Sequence, residues 1–97
     1  MARQSGTDIV GLVVDVTATT TSTLLAAGNT NRNYFFIQNK SAASTIYIKY
    51  KSAHTALEGI KLAAGESFEP YAPSRDAIYI VCAAGTATVC WMEGNNV

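Results

Sequence analysis

The residues best suited to chemistry in this chain lie near its end, where both cysteines accompany the only tryptophan. Cys82 and Cys90 are eight residues apart, on either side of the turn at residues 83–86. A thioredoxin-type redox pair needs two residues between its cysteines, and a structural zinc site needs four ligands. We predict that the strands flanking the turn point the two cysteines to opposite faces, so they cannot converge into a disulfide. Packing in a reducing compartment is therefore the interpretation for both thiols.

Other candidate catalytic residues are sparse. The single histidine, His54, lies in a polar connection and is interpreted as a loop residue rather than a general base. Glu66 and Glu69 flank Phe68, and such a pair on a hairpin is usually exposed. The sequence contains no nucleophile-elbow, phosphate-loop or dinucleotide motif. We therefore predict a protein that is not an enzyme and that binds no metal or cofactor.

The amino-acid composition indicates that the partner of this chain is another protein. The 97 residues fit one domain, and only 14% of them are charged, against about 25% in an average globular chain. This low charge suggests that part of the surface meets another protein. The net charge is zero, so no overall field attracts nucleic acid or an anionic membrane. Without an apolar signal segment at its start, the chain is expected to be made and used without crossing a membrane by its own signal.

The apolar residues recur mostly with period two, and β-branched residues are common. This spacing predicts an all-β fold: a single small antiparallel β-sandwich, jelly-roll-like, of about eight short strands. A helical turn is expected only at residues 52–58. The predicted strands cover residues 9–17, 21–25, 34–39, 45–51, 59–62, 67–71, 77–82 and 87–93.

The strands at 34–39 and 45–51 are predicted to pair as a hairpin. The register is selected by burial, because a slip of one residue would bring lysines into the core. One face of this hairpin then carries Phe35, Ile37, Ile46, Ile48 and Tyr50. The opposite face, called here the aromatic–lysine face, carries Tyr34, Phe36, Gln38, Tyr47, Lys49 and Lys51.

The strands at 77–82 and 87–93 are predicted to form a second hairpin, which places Ile78, Ile80, Cys82, Ala87, Val89 and Trp91 on the core side. The opposite side is almost as apolar. We predict that it is covered by a neighbouring subunit or by a second sheet. The candidate subunit interface consists of Tyr79, Val81, Cys90 and Met92.

The aromatic–lysine face supports a rival interpretation. Aromatic side chains beside cations bind single-stranded nucleic acid on β-platforms, and Arg32 and Lys40 lie near the ends of this face. Tyrosine and lysine also line protein interfaces. Because acidic and basic residues balance at seven each, nucleic acid is the less favoured partner.

Two stretches of the chain, RNYFFIQNKSAASTIYIKY and GIKLAAGESFEPYAPSRDAIYIVCAAGTATVCWMEG, carry a recognisable pattern of strands and turns between residues 32 and 94. In this pattern they resemble small structural proteins of tailed bacteriophage virions. This resemblance implies a non-enzymatic capsid decoration (cement) protein that stabilises the head lattice. The implied partners are other copies of the chain, most simply in a trimer, and the major capsid protein or another virion protein. The implied location is the virion surface, after assembly in the host cytoplasm, and a tail, neck or head-fibre component is the alternative.

The first eight residues have little to bury, so we expect an N-terminal arm at residues 1–8, followed by one domain at residues 9–97. Such an arm is disordered unless a partner holds it. The candidate capsid contacts are Arg3 and Gln4 of the arm, together with Tyr34, Phe36, Tyr47, Lys49 and Lys51.

Overall fold

The computed structural model describes residues 7–96, and residues 7–14 by their backbone alone. These residues form eight β-strands. All eight predicted strands are confirmed, with ends that differ by up to three residues, whereas the helical turn expected at residues 52–58 is wrong, because bends occupy those residues. The strands are β1 (Thr7–Ala18), β2 (Thr23–Ala26), β3 (Arg32–Asn39), β4 (Ile46–Tyr50), β5 (Ile60–Leu62), β6 (Ser67–Phe68), β7 (Ile78–Cys82) and β8 (Ala87–Asn96).

The strands build two four-stranded antiparallel sheets. The first sheet has the order β1-β8-β3-β6, and the second has the order β2-β7-β4-β5. Apart from β4 and β5, strands that follow each other in the chain lie in opposite sheets. This alternation is typical of a jelly roll, and the predicted all-β sandwich is confirmed.

Both predicted hairpins are wrong as pairings. β3 pairs with β8 and β6, while β4 pairs with β7 and β5, so these consecutive strands face each other across the core. β7 and β8 are separated in the same way, because β7 pairs with β2 and β8 pairs with β1. The apolar alternation shows which side of a strand is buried, but a sandwich buries that side equally well without a hairpin.

The predicted burial is confirmed even though the pairing is not. Side chains from both sheets meet in one core, and Trp91 lies half-buried at its border, with its ring centroid 6.2 Å from that of Phe35. The core positions that the sequence indicated and that are buried are Phe35, Ile37, Ile46, Ile48, Ile78, Ile80, Cys82, Ala87 and Val89. Tyr50, like Trp91, is only partly buried.

An arginine closes one end of the core. Arg32, at the start of β3, is 0% exposed, and its Nε donates to Glu93 Oε1 at 2.8 Å. Its two terminal nitrogens donate to the carbonyls of Ala27, Ser74 and Asp76 at 2.8–2.9 Å. Ala27 directly follows β2, and Ser74 and Asp76 precede β7, so these carbonyls belong to loops of the second sheet. Arg32 therefore ties the first sheet to the loops of the second.

An asparagine closes the opposite end of the core. Asn39, at the end of β3, is also 0% exposed. Its amide nitrogen donates to the carbonyls of Ser44 and Leu62, and its amide oxygen accepts from the backbone and hydroxyl of Ser41. Each end of the central strand β3 thus carries a buried polar side chain. Buried polar atoms need hydrogen-bond partners, and here groups of both sheets and of their connecting loops supply them.

Candidate functional site

The outer edge of β1 is the longest open sheet edge in the described part of the chain. β1 has 12 residues, against four for β2, three for β5 and two for β6, the other strands at sheet edges. It pairs with β8 on one side, with a register shift between Val10 and Val14. A row of unpaired backbone donors and acceptors at such an edge is a template for another strand.

The backbone groups that face outward from β1 follow from the ladder. The Lys40 N–H donates to the Thr88 carbonyl at 2.8 Å, so even-numbered residues of β8 bond toward β3 and odd-numbered ones toward β1. Val16 lies opposite Val89 and therefore directs its backbone groups to β8. Its neighbours Asp15 and Thr17 direct theirs to the open edge, and both side chains are exposed.

The outer face of the first sheet is partly apolar. Phe36 lies opposite Met92, and Cys90 lies between Gln38 and Asp15 in the register. An exposed ion pair joins Lys40 Nζ to Asp15 Oδ2 at 3.2 Å and so crosses β8 on this face. Cys90 is 5% exposed although its side chain points away from the core.

The outer face of the second sheet is partly covered by the chain itself. Tyr47 lies opposite Val81, and Lys49 opposite Tyr79. Val81 is 4% exposed at an outward position because residues 51–59, the connection from β4 to β5, fold across it. We call this connection the strap. The cover that the sequence predicted for Val81 thus comes in part from the same chain.

The predicted subunit interface is not one continuous face. Tyr79 and Val81 lie on the outer face of the second sheet, whereas Cys90 and Met92 lie on the outer face of the first. The prediction of a common face is wrong because it assumed that β7 pairs with β8. Contact of any of these four side chains with a neighbouring subunit stays a prediction.

The aromatic–lysine face is divided in the same way. Tyr34 and Phe36 lie on the first sheet, and Tyr47 and Lys49 on the second, so the whole sandwich separates them. Lys51 is exposed at the start of the strap. Arg32 is buried in the core end, and Arg3 and Gln4 lie outside the described residues. Contact of the set with a capsid stays a prediction.

His54 has a partner that the sequence did not indicate. Its backbone N–H donates to Ser22 Oγ at 2.9 Å, and Ser22 Oγ lies 2.7 Å from His54 Nδ1. Burial and the nearby Lys49 ammonium lower the pKa of His54 below 6.5. A serine and a histidine at this distance can form a nucleophile and base, but the hydroxyl here accepts from the histidine backbone and fixes the strap. The 32-residue separation left no sequence signal for this pairing.

A surface pocket of about 330 Å³ lies at the Arg32 end of the core. It is lined by Arg32, Asn33, Arg75 and residues 71–73, including Tyr71, which is 91% exposed. The guanidinium of Arg32 is directed to Glu93 and three carbonyls, so its role here is structural. Across the described residues, no group of three or more histidine, cysteine or acidic side chains could hold a metal ion.

The two cysteines are free and lie in different sheets. Cys82 faces the core, where it is 1% exposed and its Sγ lies 3.1 Å from the Ala84 carbonyl, whereas Cys90 faces outward from the first sheet. The cysteines therefore do not converge in the folded chain.

Thiol counting tests this placement. We expect a thiol-reactive reagent in denaturant, without prior reduction, to find both cysteines of the chain free. In the native protein Cys90 should react before Cys82, because Cys90 faces outward from the first sheet whereas Cys82 is part of the core between the sheets. Fewer than two thiols per chain in denaturant, or faster labelling of Cys82, would contradict the assignment.

Comparison with known proteins gives one similarity of fold. No protein-family model and no curated protein matches this chain. A solved structure matches with a TM-score of 0.60 and 24% identity, over 94% of this chain and 87% of the other. It comes from work on Bacillus endospore appendages, described as a novel family of disulfide-linked pili. The likeness establishes a shared fold. The described residues include no helix able to span a membrane.

Proposed function

We propose that this protein is a non-enzymatic structural subunit that assembles with copies of itself through the open edge of β1. The observation that carries the proposal is the long outer edge of this strand, with Asp15 and Thr17 directing backbone groups away from β8. The fold shared with an appendage that forms pili supports it. The low content of charged residues, 14%, also agrees with a surface that meets other protein.

The proposed contact adds a strand of one subunit to a sheet of the next. Natural β-proteins shield long edges with lysine, proline or short strands, whereas β1 has 12 residues and neither lysine nor proline. Strand addition supplies affinity through main-chain hydrogen bonds, so it does not depend on a strongly charged surface. The neighbour's pili are disulfide-linked, but both cysteines here are buried and free. The assembly proposed for this chain is therefore non-covalent.

Two settings fit such a subunit. The sequence resemblance supports a surface protein of a tailed-phage virion, bound to the major capsid protein and most simply trimeric. The fold likeness supports a subunit of a fibrous surface appendage. The two settings differ in the symmetry of the assembly. When an edge of one copy pairs with a different edge of the next, the copies form a ring if the rotation between them closes and a filament if it does not. Electron microscopy of the purified protein, alone and with capsids, separates rings, filaments and capsid-dependent binding.

Proline at position 17 should block assembly without unfolding the subunit. The N–H of Thr17 points to the open edge, so Thr17→Pro removes a donor that the subunit itself does not use. We expect Thr17→Pro to remain folded by circular dichroism and to shift the oligomer to monomer in sedimentation velocity.

Two controls make this test specific to the edge. Thr17→Val keeps the N–H and should assemble as the original chain does. Val16→Pro removes an N–H that bonds to β8 and should lower the free energy of unfolding of the subunit. If Thr17→Pro assembles like the original chain, the edge of β1 is not the contact and the proposed function fails in this form.

A further inference from the structure

The strap has the form of a cover attached by two backbone joints. It leaves β4 at Lys51, whose φ is 80°, and rejoins β5 after Gly59, whose φ is 99°. Lys51 is the only residue other than glycine with positive φ in the described part of the chain. Between these joints most side chains are exposed, so the strap itself buries little. Segments with few buried apolar contacts open locally at low free energy.

The strap borders a pocket of about 200 Å³. The pocket is lined on the strap side by residues 54–57, including the exposed Leu57. The other lining residues are Val81 of β7, and Thr20 and Ser22 from the segment before β2. Lifting the strap would therefore expose the otherwise buried Val81 on the outer face of the second sheet.

Besides the backbone bond from the Lys51 N–H to the Ala77 carbonyl at 2.8 Å, two sets of hydrogen bonds hold the strap down. On the side of β4, Lys49 Nζ donates to Glu58 Oε1 at 2.8 Å and to the Ala53 carbonyl at 3.4 Å. Glu58 Oε1 also accepts from the backbone N–H of Thr55 at 3.0 Å. On the side of β2, the two hydrogen bonds between His54 and Ser22 join the strap to the segment before that strand.

The surroundings of the His54 ring favour its neutral form. Ser22 Oγ accepts from the His54 backbone N–H and lies 2.7 Å from Nδ1, and a hydroxyl can satisfy that nitrogen as donor or as acceptor. Nε2, by contrast, is buried and has no hydrogen-bond partner in the described structure. Protonation places a hydrogen on both ring nitrogens and so leaves a charged, buried Nε2–H without an acceptor.

The charged groups around His54 oppose its protonation on balance. Lys49 on β4 repels the imidazolium, and Lys61 on β5 stands beside Tyr47 in the same outer face. Glu58 on the strap attracts it, but this carboxylate already accepts from Lys49 and Thr55. Those hydrogen bonds hold the pKa of Glu58 at about 2, so its charge is constant near neutral pH. Ser22, from the segment before β2, and Val81 of β7 add no charge.

We propose that the strap is a pH-sensitive cover, closed over Val81 while His54 is neutral and released when His54 is protonated. The inference does not depend on the proposed assembly. Burial, followed by Lys49, lowers the pKa of His54 in the closed state. A base with a lowered pKa stabilises the closed state fully above its ordinary value of 6.5, and this stabilisation is lost as the pH falls below that value.

Hydrogen exchange of the strap measures this opening. With mass-spectrometric detection of residues 51–59, corrected for the intrinsic pH dependence of exchange, protection should fall at least about threefold between pH 7.5 and pH 5.5. His54→Gln cannot be protonated and should show no such fall. Ser22→Ala should lower the protection of the strap already at pH 7.5. Protection of the original strap that is independent of pH, or an equal fall in His54→Gln, would overturn the proposal.

The single histidine offers a second readout on the unaltered chain. Exchange of its ring C2 hydrogen reports the titration of the imidazole directly. We expect the midpoint to lie below 6.5 and to return toward 6.5 in Ser22→Ala, because the open strap exposes the ring to water. A midpoint at or above 6.5 in the original chain would overturn the proposal, whatever the behaviour of the variants.

Discussion

Replacing Arg32 by methionine should lower the free energy of unfolding by about 3–5 kcal/mol, the range for breaking a buried ion pair. The change leaves the Glu93 carboxylate without its buried cation and removes the donors from the carbonyls of Ala27, Ser74 and Asp76. The loss includes the contact of the guanidinium with the Phe35 ring, whose centroid is 5.9 Å from Cζ. Urea unfolding of the two proteins measures the difference.

An exposed lysine gives the matched control for Arg32. Lys40 also forms an ion pair, with Asp15, but both side chains are about half exposed. Lys40→Met should therefore change the free energy of unfolding by no more than about 1 kcal/mol. If Arg32→Met costs as little as Lys40→Met, the hydrogen bonds of Arg32 do not hold the two sheets together at this end of the core.

Alanine at position 59 should destabilise the fold by about 3–4 kcal/mol, through the sum of backbone strain and overpacking. Gly59 has a φ of 99°, and a Cβ there would lie 2.0 Å from the Ile48 carbonyl oxygen. That oxygen is backbone of the central strand β4, so it cannot move aside without disturbing the β4–β5 pairing. Thermal and urea unfolding of Gly59→Ala provide the measurement.

Two other glycines separate strain from steric contact. Gly65 and Gly85 also have positive φ, of 83° and 68°, but a Cβ at either position meets nothing within 4 Å. Gly65→Ala and Gly85→Ala should each cost about 1–2 kcal/mol, the cost of a left-handed conformation for a residue with a side chain. Equal losses at all three positions would show that the close approach of Gly59 to Ile48 has no energetic consequence.

Local sequence determined the strands and their buried sides. The alternation in Ile46–Tyr47–Ile48 and in Ile78–Tyr79–Ile80 places isoleucines on one side and tyrosines on the other, and the structure buries the isoleucines. This inference needs only the period of two between side chains of an extended chain, which is a property of each strand by itself. The gaps between the predicted strands likewise contain Gly65 and Gly85, where positive φ is observed.

Strand pairing was decided by the tertiary structure. The sequence placed β3 beside β4 and β7 beside β8 because short connections favour hairpins. In the sandwich each of these connections crosses between sheets, which buries the same apolar sides and leaves the hydrophobic pattern unchanged. Two topologies that bury the same apolar side chains cannot be distinguished by the alternation of apolar and polar residues. The prediction that Tyr79 and Cys90 share one face was therefore wrong.

The candidate site was largely hidden from the sequence for a related reason. Thr17 is an ordinary polar strand residue in the sequence, and only the strand order makes its N–H part of an open edge. Arg32 was interpreted as a surface cation near an aromatic face, because its partners lie 5 to 61 residues away in the chain. Ser22 and His54 gave no signal together. Local periodicity determines which side of a strand avoids water, whereas contacts between distant residues depend on how the complete sheets are ordered, and only the folded chain fixes that order.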